Sequence, residues 1–121
     1  MIHKKIVIGF NNQKIKLSVY ECSLFEKISG LMFSRREKAN ILLFSFRRKQ
    51  KIAIHSFFVF YPFIALWLDD KNKIIDKKIV TPFELSVCPQ EKFLKLIEIP
   101  INKKNRKLSK LFFPEIIRRQ Y

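Results

Sequence analysis

Polar and apolar residues alternate most cleanly from Lys14 to Tyr20, where Ile15, Leu17 and Val19 interleave with Lys16 and Ser18. That period of two predicts a half-buried strand. The β-branched stretch Ile2 to Phe10 predicts a strand before it, and Asn11-Asn12 supplies the turn, because Asn tolerates a left-handed backbone. A hairpin over residues 2–20 follows. Ser23-Leu24-Phe25-Glu26 fits a capping box, in which the Ser oxygen takes a free amide hydrogen and the Glu reaches back, so a short helix is expected there, ended by Gly30.

Two Phe-rich runs, Ile41 to Phe46 and Ile52 to Phe60, flank Arg47-Arg48-Lys49-Gln50-Lys51 and predict two antiparallel strands joined by a basic turn. Ala65 to Leu68 and Ile74 to Val80, joined through Asp69-Asp70-Lys71-Asn72-Lys73, predict a second such pair. Pro82 and Pro89 mark Thr81 to Glu91 as a surface loop, and Phe93 to Ile99 is a further strand stopped by Pro100. The basic tail 101–121 predicts a short helix and then a final strand around Pro114. The near-continuous apolar run from Ile52 to Leu68 is broken by His55, Ser56 and Pro62. It is also dominated by β-branched and aromatic residues, which argues against a membrane-spanning helix.

At 121 residues the chain is one domain's length, and 48% hydrophobic residues with 13 Phe supply ample material for one core. Two Gly cannot make a GxGxxG or GxxxxGK[ST] phosphate loop, so nucleotide folds lose their signature. Cys22 and Cys88 form no CxxC pair, and two free thiols in a reducing compartment are expected. The N-terminal residues lack the apolar core of a secretory signal, so a cytoplasmic location is expected. No cofactor is implied.

Charge changes the picture more than composition does. With 25 Lys and Arg against 10 Asp and Glu, the net charge is +15, which favours polyanionic partners: nucleic acid, an anionic membrane surface or an acidic protein. Lys, Ile, Phe and Asn also share A/T-rich codons, so drift in composition explains part of the same excess. The basic residues fall in clusters, of which Arg35 and Arg36 with Arg47, Arg48, Lys49 and Lys51 are the candidate polyanion contacts, and the run from Asn102 to Lys110 is the densest.

The aromatics Phe57, Phe58, Phe60, Tyr61, Phe63 and Trp67 could stack unpaired bases, although filling the interior of a small barrel is the commoner use of such alternation. His55 could act as a base or metal ligand, but without HxH, HExxH or Cys-His spacing a structural role bordering a pocket is the better reading. His55, Tyr61 and Trp67 are the candidate pocket residues. Carboxylate pairs of glycosidase type are poorly supplied, and the balance leans away from an enzyme.

Three blocks in register carry a resemblance: Gly30-Leu31-Met32-Phe33, Leu42-Leu43-Phe44-Ser45-Phe46, and the run from Ile54 to Ile75. Over about residues 23–100 the chain resembles the uncharacterised family called domain of unknown function 192, in its archaeal-type form. The resemblance implies a compact α+β domain built on an antiparallel, partly barrel-like sheet with one or two short helices, and no particular reaction. Ser34 precedes Arg35 and Arg36 where the family often has Arg directly, Ile64 stands where it tends to have Asp, and Asp69 is retained.

The expectation is therefore a single α+β domain over 1–121, with a hairpin at 2–20, a family-like region at 23–100 and a basic tail at 101–121. It would act as a small binding or scaffold module that meets a polyanion through basic loops. The alternatives are a small-ligand binder or enzyme with a pocket near His55 and Trp67, or a structural protein that self-associates through a strand edge.

Overall fold

The computed structural model describes residues 1–23 and 30–115, and the helix expected to start at Ser23 falls on residues outside them. Six strands form one curled sheet: β1 (Ile2–Phe10), β2 (Gln13–Glu21), β3 (Leu42–Gln50), β4 (Phe63–Leu68), β5 (Ile74–Val80) and β6 (Phe93–Pro100). A single 3-10 turn (Lys103–Asn105) leads into α1 (Arg106–Phe112). The sheet dominates, so the α+β expectation holds as a small, mostly β half-barrel with one short helix among the described residues.

The order across the sheet is β1-β2-β3-β6-β4-β5. Every neighbouring pair is antiparallel except β2 and β3, which are parallel through Tyr20–Leu42 and Glu21–Leu43. This corrects the expectation of an all-antiparallel sheet. The long connection from Cys22 to Ile41 lets the chain return to the same end before re-entering, as a parallel neighbour requires.

The β1–β2 hairpin forms as expected, with Asn11 and Asn12 at φ of 50° and 60°, the geometry that a two-residue turn between twisted strands needs. At the β4–β5 turn the Asp69 carboxylate accepts hydrogen bonds from the N–H groups of Lys71 and Lys73, both at 2.9 Å. The Gly9 N–H of β1 reaches Asn72 O in that turn at 2.9 Å, so the two ends of the sheet approach one another.

Alternation along the strands produces two cores, one on each face. Ile6 and Ile8 of β1, Leu17 and Val19 of β2, Leu43 of β3, Ile64, Leu66 and Leu68 of β4, and Ile97 and Ile99 of β6 pack together, with Phe112 of α1 against them. Because residues from both ends of the sheet meet there, this is the inner face of the curl. α1 closes one end of it: Asn102 Oδ1 accepts from Asn105 N, Asn105 Nδ2 donates to Pro100 O, and Ser109 Oγ donates to Asn105 O, so these buried polar groups are paired.

Leu42 and Phe44, Phe63, Ala65 and Trp67, and Phe93 and Leu96 point to the outer face, where the segments 30–39, 52–62 and 81–90 cover them. The aromatic half of the sequence thus packs outside the curl. The barrel interior expected for it is aliphatic.

Two further expectations are overturned. Arg47 to Gln50 belong to β3 rather than to a turn, and the ladder to β6 shifts register between Ser45 and Gln50. Residues 52–60 are not a strand; their one ladder contact is the Ile54–Val87 bridge. The short helix expected in the tail forms as α1, and the final strand expected after it falls on residues outside the described ones.

Candidate functional site

Strand β6 carries the sequence Leu96-Ile97-Glu98-Ile99, and its alternation sends Ile97 and Ile99 to the inner core and Glu98 to the outer one. Glu98 pairs with Leu42 of β3 on one side and Ala65 of β4 on the other, so its carboxyl starts from the middle of the sheet. It is 7% exposed. No donor among the described residues is bonded to it, and burial alone pushes its pKa up to about 8.

The space Glu98 faces is a cavity of about 360 Å³, at the small end of ligand pockets. Its floor is Phe44 and Phe46 of β3, Phe63 of β4, and Leu96 with Glu98 of β6. Gly30, Leu31 and Met32 form one wall, and Ile52 to His55 with Val59 form the other. Gly30 has to be small, since a Cβ there would lie 3.3 Å from Glu98 Oε1, and its φ of +51° is one that side chains resist. His55 sits at the exposed edge, where its Nδ1 accepts from Phe57 N at 3.2 Å, leaving Nε2 to carry the proton of the neutral ring.

Of the three expected pocket residues, only His55 lines this cavity. Tyr61 is buried behind it with its hydroxyl bonded to Ser34 Oγ. Burial raises the Tyr61 pKa, the Ser34 bond opposes this, and the nearby Glu98 charge adds to the rise. Trp67 is fully buried in the outer core, and its Nε1 has no acceptor among the described residues. Glu98 itself was missed. Its signal was a lone carboxylate within the apolar run from Leu96 to Ile101, at the parity opposite to Ile97 and Ile99.

The six candidate polyanion contacts divide between two ends of the sheet. Arg36 Nε donates to Ile101 O at 2.7 Å while Asn102 Nδ2 donates to Arg36 O, so Arg36 fastens its turn to the chain just beyond β6. Arg47, Arg48, Lys49 and Lys51 are exposed at the opposite end, where Gln50 pairs with Phe93 at the start of β6. The eight residue steps from Phe93 to Ile101 separate the groups by about 25 Å. Lys49 also lies 3.9 Å from Asp70. Exposed Arg35 begins the same turn as Arg36, its carbonyl accepting from Lys38 N, and no single patch gathers all six.

Cys22 is buried and Cys88 partly so, and no disulfide joins them. Among the described residues no three His, Cys, Asp or Glu side chains gather, and no helix is long and apolar enough to cross a membrane.

No protein-family model and no curated protein matches the sequence. Solved structures do share the fold. A candidate transcription regulator from Sinorhizobium meliloti 1021 superposes with a TM-score of 0.70 at 17% identity, over 88% of this chain and 85% of its own. A protein of unknown function from Novosphingobium aromaticivorans DSM 12444 gives 0.69 at 12% identity, over 88% and 79%. At such identities the likeness is one of fold.

Proposed function

We propose that the protein is a small-ligand-binding module whose outer-face cavity takes an apolar molecule with one cationic or hydrogen-bonding head. The observation that carries this reading is the Glu98 carboxyl, buried at the floor of an apolar cavity with no donor among the described residues. Buried carboxyls are ordinarily bonded, because leaving one unpaired is costly, and a ligand head would supply the missing partner. The apolar walls then take the body of the ligand. This reading displaces the single polyanion site expected from the charge clusters, whose residues lie at two ends of the sheet. Membership of the domain of unknown function 192 family is part of the same proposal, supported by the three sequence blocks and by a small, partly barrel-like sheet of the kind that the family implies.

The test uses octylamine, octanol and octanoate as probes, followed by the fluorescence of the single Trp67 and by thermal unfolding. Octylamine should bind best and octanoate worst, and Glu98→Gln should erase that order while leaving the weaker apolar contribution. Equal response of parent and variant, or no response to any probe, would sink the reading.

A further inference from the structure

A second surface adjoins the rim of the cavity, where the Phe57 ring lies 5.7 Å from that of His55. Phe33, Phe57, Phe58, Phe60 and Phe83 are all exposed, the most open being Phe33 at 69% and Phe60 at 61%. They fall into two groups of touching rings. The Phe33 and Phe58 rings stack at 4.9 Å, Phe57 lies against Phe58, and Phe83 meets Phe60 edge-on at 5.4 Å.

These rings are held in place. Ser56, fully buried, donates through Oγ to Thr81 O and accepts there from Glu84 N, while its N–H bonds Glu84 O and its carbonyl accepts from Val59 N and Phe83 N. Phe33 N donates to Phe58 O at 2.9 Å. Phe33, Phe58 and Phe83 have φ of 60°, 59° and 63°, a region that bulky residues rarely occupy. Folding alone favours Gly or Asn at such turns and polar residues at such exposure. Three left-handed Phe on one surface oppose both preferences, as expected where contact with something else selects them.

We propose that this aromatic cluster docks the protein on an anionic lipid surface by shallow insertion of the Phe rings. Charge selects that occupant. Exposed Arg35 stands two residues beyond Phe33 in the chain, the Glu84 carboxylate is turned onto Thr81 N and Oγ1, Lys51 is exposed just before the loop that carries Phe57, Phe58 and Phe60, and the chain carries +15 overall. Ring packing disfavours single-stranded nucleic acid, since the largest faces are stacked on one another instead of standing free in a row for bases.

Co-sedimentation with phosphatidylcholine vesicles, with and without phosphatidylglycerol, tests the proposal. The parent protein should bind the anionic vesicles more tightly. Phe33→Asn with Phe58→Asn should weaken that binding roughly tenfold at an unchanged melting temperature, since Asn accepts the left-handed backbone. Arg35→Gln with Lys51→Gln should weaken binding to anionic vesicles alone, and Glu98→Gln should bind vesicles as the parent does, which separates this surface from the cavity. Failure of the parent to sediment, or parent-like binding by the Phe pair variant, would overturn it. So would Phe-dependent binding of single-stranded RNA without vesicle binding, or self-association that the same variant abolishes.

Discussion

The two faces of this sheet solve the same problem differently. The inner face is aliphatic, drawn from all six strands and closed at one end by α1, and its buried polar groups at that end, Asn102, Asn105 and Ser109, are bonded. The outer face is aromatic, covered by turns and loops instead of strands, and it keeps a cavity, a carboxyl without a donor among the described residues and a set of exposed rings. Regular elements cover a curved surface densely because each residue's position follows from its neighbours. Loops leave gaps, and gaps are where binding is built. The inner face is therefore where the fold's stability is concentrated, and the outer face is where its specific chemistry lies.

Truncation at matched size gives the largest contrast. Leu66→Ala removes a fully buried side chain from the inner core and should cost about 4 kcal/mol in urea denaturation, because close-packed neighbours cannot collapse into the space. Met32→Ala, at the half-buried wall of the cavity, should cost about 1 kcal/mol, since it enlarges a space that is already open. Equal losses would mean that the outer face is as tightly packed as the inner one.

Stability against pH isolates Glu98. Its pKa is about 8 in the folded protein and near 4.5 unfolded, so between those values the folded state holds one proton more. Stability from this group is complete below about pH 4.5, declines as pH rises, and is exhausted once pH passes about 8, a loss on the order of a few kcal/mol. Glu98→Gln should flatten that decline. Glu21 provides the opposing case: the Ser45 hydroxyl donates to it, its pKa is lowered, and its contribution is lost as pH falls. A parent and a Glu98→Gln variant with parallel pH profiles would refute the assignment of a buried, ionisable carboxyl to the cavity.

A change beside that carboxyl should be smaller. Gly30→Ala meets both a φ of +51° and a Cβ contact of 3.3 Å with Glu98 Oε1, and should cost about 1 to 2 kcal/mol. Because the same methyl intrudes on the cavity, probe binding should fall with it. Loss of stability without loss of binding would place the probes elsewhere.

The difference between the faces also governs what the sequence made legible. β2 was readable from its period of two, which burial of one face imposes, and β1, β4, β5 and β6 from β-branched or apolar runs bounded by turn residues and Pro. Residues 52–60 were misread because an apolar run implies burial, while here Ser56 ties the run to Thr81, Phe83 and Glu84 through individual bonds that no periodicity records. Arg47 to Gln50 were misread because β3 stays extended past its register shift with exposed basic side chains. The parallel β2–β3 pairing depends on where a long connection returns, which is not local information. In the site, His55 was found from its residue type. Glu98 was open to discovery from its parity in β6, and the separation of Arg36 from Arg47 emerged only from strand order.

The smallest effect tests whether the outer loops are optimised for folding at all. Phe83 is half-exposed at a φ of 63°, and its ring meets that of Phe60 edge-on. Phe83→Asn should relieve about 1 kcal/mol of left-handed strain and forfeit about as much from the ring pair, leaving stability within about 0.5 kcal/mol of the parent by thermal unfolding. A loss of several kcal/mol would make Phe83 a core residue of the loop and align the outer face with the inner one. Near-neutrality would mean that a strained, exposed aromatic is retained there without benefit to the fold, which is the pattern expected of a residue kept for contact with a partner.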